Sequence, residues 1–192
     1  MSSGAEPESG GPCRVFYALW PTAAVRDAFT ARIQTLAAAA PARWVPPENL
    51  HLTLWFVGPV APATLQRLLN APAMPGAGFM LAFARLRYHR RRQLLWVEPE
   101  CPVPAWSALI SRLVEWAGPE VKARDPHSPF PHVTLARKLV LSAPLPSAVE
   151  PVTWPVDSVA LVESVLQLSG PPRYRVLRRW SLCSMPAAGS MK

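Results

Sequence analysis

Residues 48–58 read ENLHLTLWFVG and residues 129–138 read PFPHVTLARK, and these two stretches decide how the chain folds. Each carries one His-x-Thr-x pattern in an alternating apolar run: His51-Leu52-Thr53-Leu54 and His132-Val133-Thr134-Leu135, 81 positions apart (132 − 51). Strand side chains alternate between faces. His51 and Thr53 therefore share one face, and Leu52 and Leu54 share the other; His132 and Thr134 stand in the same way against Val133 and Leu135. Both copies follow proline-marked turns, Pro46-Pro47 and Pro129–Pro131. Each strand thus sets an imidazole beside a hydroxyl above a face anchored in the core.

Outward from these strands the chain repeats a simple order. Residues 14–19 (RVFYAL) read as a β-branched and aromatic strand. Pro21-Thr22 then starts a helix whose apolar residues Val25, Phe29, Ile33 and Leu36 keep helical spacing. Residues 61–69 read as a short helix, and 79–88 and 94–97 as strands joined by His89-Arg90-Arg91-Arg92-Gln93. Residues 103–116 make a second amphipathic helix, with Trp106, Leu109, Ile110, Leu113 and Trp116 on one side. The proline-rich stretch 140–155 reads as irregular, and 156–168 and 174–182 as closing strands. Two rounds of strand, helix and strand point to an α+β fold with two related halves.

Composition narrows the class. With 192 residues, half of them hydrophobic, the chain has the size of one domain and can bury a core. Its 24 prolines favour short elements and marked turns over long helices. No apolar run is long enough to span a membrane, and residues 1–12 lack the pattern of a signal peptide. The expectation is a cytoplasmic monomer with a disordered tail over 1–13, one domain over 14–183 and a flexible tail over 184–192. Cys13, Cys101 and Cys183 share no metal-like spacing, and neither motif has a carboxylate at ligand spacing, so no metal or other cofactor is expected. The net charge of +8 suits a polyanion without naming one.

Two imidazoles and two hydroxyls across a cleft suit phosphoester chemistry. One imidazole can take a proton from a nucleophile while the other protonates a leaving oxygen. The hydroxyls can donate to the phosphate oxygens that gather charge. The paired motifs resemble those of the two-histidine phosphoesterase superfamily. More closely, the chain resembles the RNA 2′,3′-cyclic phosphodiesterases, once called 2′-5′ RNA ligases. Matching text at 14–19, 48–58, 94–98 (LLWVE), 129–138 and 173–182 (RYRVLRRWSL) runs in that family's order.

The resemblance implies a bilobal α+β fold: two antiparallel sheets related by a pseudo-twofold, flanked by helices, with the active cleft between the lobes. It implies hydrolysis of RNA 2′,3′-cyclic phosphate ends to 2′-phosphomonoesters, with RNA carrying such ends or 2′-5′ linkages as partner. His51 and His132 would be the acid–base pair, with the lean to His51 as acid, and Thr53 and Thr134 the phosphate clamps. Arg137 matches a phosphate-contacting position, yet strand parity sets it opposite His132 and Thr134 unless the strand ends or bulges near Ala136. Phe16 could stack on a base or pack in the core. Trp20 stands before Pro21 where the family often has an acid.

Other features carry less. Arg90–Arg92 is either an RNA contact or a solvated turn, and His89 and His127, lacking the threonine, read as structural. The alternatives are a cyclic phosphodiesterase for a small nucleotide, such as an ADP-ribose cyclic phosphate, and a non-catalytic RNA-binding module.

Overall fold

The structure is a computed structural model describing residues 12–38, 40–74, 76–100, 104–117, 130–141, 144–167 and 169–183. Of the expected tails over 1–13 and 184–192, residues 1–11 and 184–192 lie outside the described residues, as do His127 and Cys101. Nine strands are formed among the described residues: β1 (Cys13–Leu19), β2 (Arg43–Trp44), β3 (Leu52–Val60), β4 (Phe79–His89), β5 (Leu94–Pro99), β6 (Val133–Arg137), β7 (Ala148–Val156), β8 (Ser158–Val165) and β9 (Arg173–Ser181). They make one curled antiparallel sheet in the order β7-β4-β5-β6-β3-β1-β8-β9, with β2 added beside β6. Three α-helices accompany it among the described residues: α1 (Ala23–Ala37), α2 (Pro62–Leu69) and α3 (Pro104–Ala117).

Local chemistry accounts for most of these elements. The Thr22 hydroxyl caps α1 by accepting from the Val25 amide at 3.4 Å. Val25, Phe29, Ile33 and Leu36 form its buried stripe. Pro62 opens α2 at a position where the missing N–H costs nothing. The strand β1 starts one residue earlier than expected because Cys13 pairs with Val60 and its thiol donates to Glu163 at 3.1 Å.

Two expectations need correction. Residues 148–156 form β7 rather than irregular chain, despite Pro151 and Pro155. The strand lies at the sheet edge and pairs only with β4, so a residue without an N–H can be tolerated there. The two halves, β7-β4-β5-β6 and β3-β1-β8-β9, are also hydrogen-bonded into one sheet. They meet at a single register pair, Leu52↔Val133, whose side chains are fully buried.

The helices lock that seam by crossing it. From the half containing β1 and β3, α1 places Phe29 against Phe83 of β4 and Trp154 of β7, at ring separations of 5.5 and 6.0 Å. Arg32 of the same helix pairs with Glu150 of β7 at 2.5 Å. From the other half, α3 places Trp116 against Tyr17 of β1 and Trp180 of β9, at 5.9 and 4.9 Å. Each half's long helix thus covers the other half's strands, and one large apolar core runs through both.

Candidate active site

The pair Leu52↔Val133 positions everything around it. Antiparallel register sets His51 opposite Thr134 and Thr53 opposite His132, all on the face away from the core. The ladder between β3 and β6 does not continue past that pair, and a cavity of about 340 Å³ opens between the strands. That volume falls within the range of small-ligand sites. His51, Thr53, His132, Thr134 and Arg137 all line it.

Arg137 reaches the cavity because β6 bulges. Leu95 pairs with Ala136 but Trp96 pairs with Thr134, so Leu135 is the extra residue. Leu135 and Ala136 are consecutively buried and Arg137 is exposed, which turns the guanidinium onto the face of Thr134. Strand β3 does the same at Leu54, since Tyr17 pairs with Trp55 and Ala18 with Thr53. Phe56 is thereby brought to the cavity. The fifth residue after each motif histidine thus faces the site, Phe56 on one side and Arg137 on the other.

Both imidazoles are oriented by the same device. The Nδ1–H of His51 donates to the Asn49 carbonyl at 2.7 Å, and that of His132 to the Phe130 carbonyl at 3.1 Å. A carbonyl only accepts, so Nδ1 of each ring carries a proton, and Nε2 is the nitrogen left to take or give one. The Thr53 hydroxyl donates to Nε2 of His51 at 3.2 Å.

Beyond this the two rings differ. His51 sits among three aromatic rings: Trp20 stacks on it at 5.6 Å and 11°, Phe16 lies at 5.1 Å, and Tyr174 meets it edge-on at 5.1 Å. Burial pushes its pKa down to about 4, helped by the nearby charges of His132 and Arg137 and opposed by the Asn49 carbonyl. His132 has Trp96 as a neighbouring ring at 6.0 Å, the one ring contact seen for it among the described residues. Tyr174 also lines the cavity, and burial raises its phenol pKa while Arg137 lowers it.

Phe16 does not line the cavity as a base platform. It is 3% exposed beneath His51, in a small cluster with Ala18, Ala160 and Val162, which leaves it no free face. Trp20, noted for the missing acid, supplies a flat apolar ceiling for His51 instead of a charge. Asn49 escaped the sequence reading altogether. It is 8% exposed, and besides orienting His51 its side-chain amide donates to the Pro172 carbonyl at 3.0 Å. Through that bond the β8–β9 loop is tied to the first motif. Its signal was only a position, two residues before the histidine. Arg43 comes from β2, just ahead of the first motif, and Tyr174 from β9, within the matching stretch 173–182, and neither was singled out. His89 accepts from the Arg92 amide at 3.2 Å within its own turn.

Among the described residues that line the cavity, the charges are Arg43 and Arg137, with no carboxylate. No group of three or more His, Cys, Asp or Glu suited to a metal occurs among the described residues. No helix among them is long and apolar enough to cross a membrane. The arrangement offers two imidazole nitrogens, two hydroxyls and a guanidinium to one anion.

Known proteins share this arrangement's frame. An RNA 2′,3′-cyclic phosphodiesterase of Thermus thermophilus is 31% identical over 188 residues, covering 88% of this chain and 90% of that one. The crystal structure of E. coli LigT in its apo form superposes with a TM-score of 0.75 at 26% identity, covering 90% of this chain and 99% of LigT. LigT complexed with 3′-AMP gives 0.74 at 28% identity, over 89% and 98%. Residues 24–167 match the profile of the 2′-5′ RNA ligase superfamily, and the chain belongs to that family.

Proposed function

We propose that this protein hydrolyses the 2′,3′-cyclic phosphate at an RNA end to a 2′-phosphomonoester, using His51 and His132 as base and acid. The observation that carries this reading is the shared cavity in which two Nδ1-anchored imidazoles, two hydroxyls and Arg137 converge, with no carboxylate among the described lining residues. The likeness to the Thermus enzyme supports the substrate class.

His51 takes the proton from the attacking water, because burial keeps its ring unprotonated at neutral pH. This reverses the sequence expectation, which leaned to His51 as the acid. His132 protonates O3′ as its bond to phosphorus breaks. Thr53 turns its hydroxyl from Nε2 of His51 to a non-bridging oxygen, freeing that nitrogen for the water. Thr134 and Arg137 hold the remaining oxygens, where the transition state concentrates charge. A 5′-hydroxyl in place of water, with the same leaving oxygen, yields a 2′-5′ linkage.

The two halves are read as a pseudo-twofold pair facing the cleft. His51 lies 38 residues after the start of β1 (51 − 13), and His132 lies 38 after the start of β5 (132 − 94). The two crossing helices follow the same symmetry.

The test is turnover of an oligoribonucleotide ending in a 2′,3′-cyclic phosphate, with the product phosphate located. A 2′-phosphate is expected, and His51→Ala or His132→Ala should each cost about 10²–10⁴-fold in kcat. A 3′-phosphate product, or full turnover after loss of both histidines, overturns the reading.

A further inference from the structure

The arginines of this chain divide by what holds them. Arg175 pairs with Glu163 at 2.7 Å, and Arg87 with Glu98 at 3.1 Å. Arg178 donates to the Leu69 carbonyl and lies over the Trp180 ring at 5.0 Å. Arg179 donates to the Trp20 carbonyl at 3.5 Å. Arg175, Arg178 and Arg179 of the last strand are therefore committed to the fold. A second set, Arg43, Arg90, Arg91, Arg92, Arg137 and Lys138, is exposed and has no ion pair among the described residues.

These six are neighbours in the sheet. Arg43 pairs with Arg137 across β2 and β6, and Arg137 pairs with Leu94 across β6 and β5. The Arg90–Arg92 turn stands immediately before Leu94, separated from it only by Gln93, and Lys138 directly follows Arg137. The turn is no loose hairpin tip. The Leu139 amide donates to the Gln93 carbonyl at 3.1 Å, and the Tyr88 hydroxyl donates to the Leu139 carbonyl at 2.9 Å. Left-handed Gln93 (φ 49°) and Lys138 (φ 53°) shape the two chain reversals so joined. The triple-arginine turn is thus fastened to the strand end that delivers Arg137 to the cavity.

A solvated turn needs neither that fastening nor that position. Two of the six cations line the cavity and four continue outward from it. From Arg43 to Leu94 the band crosses two strand spacings, about 10 Å, before the turn begins. A band of that length exceeds one phosphate group, and the Arg90–Arg92 turn extends it further. A terminal cyclic phosphate alone uses only the cavity end.

We infer that Arg90, Arg91, Arg92 and Lys138, continuing from Arg43 and Arg137, form a track for the backbone phosphates on the 5′ side of a single-stranded RNA whose cyclic end occupies the cavity. The inference rests on the proposed reaction and extends it: the substrate is a strand, held by its backbone irrespective of base sequence.

The test compares the wild type with the triple variant Arg90→Gln, Arg91→Gln, Arg92→Gln. Two substrates are used, a 2′,3′-cyclic mononucleotide and a cyclic-ended RNA of about ten nucleotides, between about 50 and about 200 mM NaCl. Single-strand binding loses about 0.7 in log–log salt slope per phosphate contact, so three lost contacts flatten the slope by about 2. Over that fourfold salt range the wild type should lose about 20-fold more affinity for the RNA than the variant. At the low-salt end the variant's KM for RNA should rise at least about tenfold, with kcat and the mononucleotide KM unchanged. Equal KM and equal salt slope for the two proteins on RNA overturn the track. Anisotropy with the same RNA gives an independent reading. If neither protein turns over either substrate, the proposed reaction fails, while the dissociation constants and their salt slopes still decide the track.

Discussion

Replacing Trp20 by glutamate tests the electrostatic asymmetry on which the proposed division of labour between the histidines depends. The indole lies flat on His51, at 5.6 Å and 11°, and is part of the enclosure that pushes the imidazole pKa down to about 4. Trp20→Glu opens that enclosure and adds an opposite charge within about 4–6 Å, worth about 1–3 pKa units upward. A rise of about 2 units, to about 6, corresponds to about 2.7 kcal/mol.

The two possible roles of His51 respond in opposite directions. As a base it must be unprotonated. At pH 5 the neutral fraction falls from about nine-tenths to about one-tenth, so kcat/KM drops about tenfold there and stays level at pH 8. As an acid it must be protonated. At pH 7 that fraction climbs from about one in a thousand to about one in ten, so the rate would rise about 100-fold. NMR titration of the His51 ring gives the pKa, and kcat/KM against pH from about 4 to about 9 gives the functional limb. A pKa that moves while the acid limb stays in place refutes His51 as base, and a faster enzyme at neutral pH assigns it as the acid. A pKa that does not move shows that the stack is not what lowers it. Trp20→Leu, which stays apolar, should leave the acid limb within about half a unit.

Other perturbations separate positioning from phosphate binding and stability. Arg137→Ala should lower kcat/KM by about 10²–10³-fold, with Arg137→Lys recovering only part, because an ammonium replaces a bidentate guanidinium. Asn49→Leu removes the bond to Pro172 but keeps the backbone acceptor. It should cost about 1–3 kcal/mol in denaturant unfolding and lower kcat more than it raises KM. Phe56→Ala should raise KM for RNA by about 5–100-fold if a base stacks there, and leave kcat near wild type. Because the folded pKa of His51 lies below its ordinary value of 6.5, the unfolded chain binds the extra proton as pH falls. Stability should therefore decline from about pH 6.5 to about pH 4, by about 3 kcal/mol from this group, and His51→Gln should flatten that slope in urea titrations.

What could be read in advance follows from which information is local. The buried stripe Val25, Phe29, Ile33 and Leu36 and the cap Thr22 lie within one helix, and that helix formed as its spacing predicts. The alternation around His51 and His132 lies within single strands, and both motifs came to one cavity. The status of β7 was hidden because prolines exclude a strand only where a neighbour needs the N–H, and edge position is a property of the whole sheet. The bulge at Leu135 is a mismatch between two strands, so parity within β6 alone put Arg137 on the wrong face until its partner β5 was known. Phe16 has the composition of a stacking platform, and only packing against β8 shows that it is spent on supporting His51. Asn49 is meaningful through Pro172, a partner 123 residues away.

The repeated motif alone would make a symmetric site, and a symmetric site has no reason to prefer one histidine as base. Each departure from symmetry in this chain biases the same choice. On the β3 side the fifth position after the histidine is Phe56, and three rings surround His51. On the β6 side the same position is Arg137, and one ring accompanies His132. An apolar enclosure disfavours a protonated imidazole, and an Nε2 whose lone pair is kept free is what a water-activating base needs. In the proposed mechanism the guanidinium beside the other motif holds the anion over the half of the site where the departing O3′ receives its proton. Had Trp20 been a carboxylate, it would have stabilised a proton on His51 and removed the difference between the two rings. In the proposed mechanism the indole at that position is thus tied to the direction of proton flow, because it stacks on His51 and not on His132.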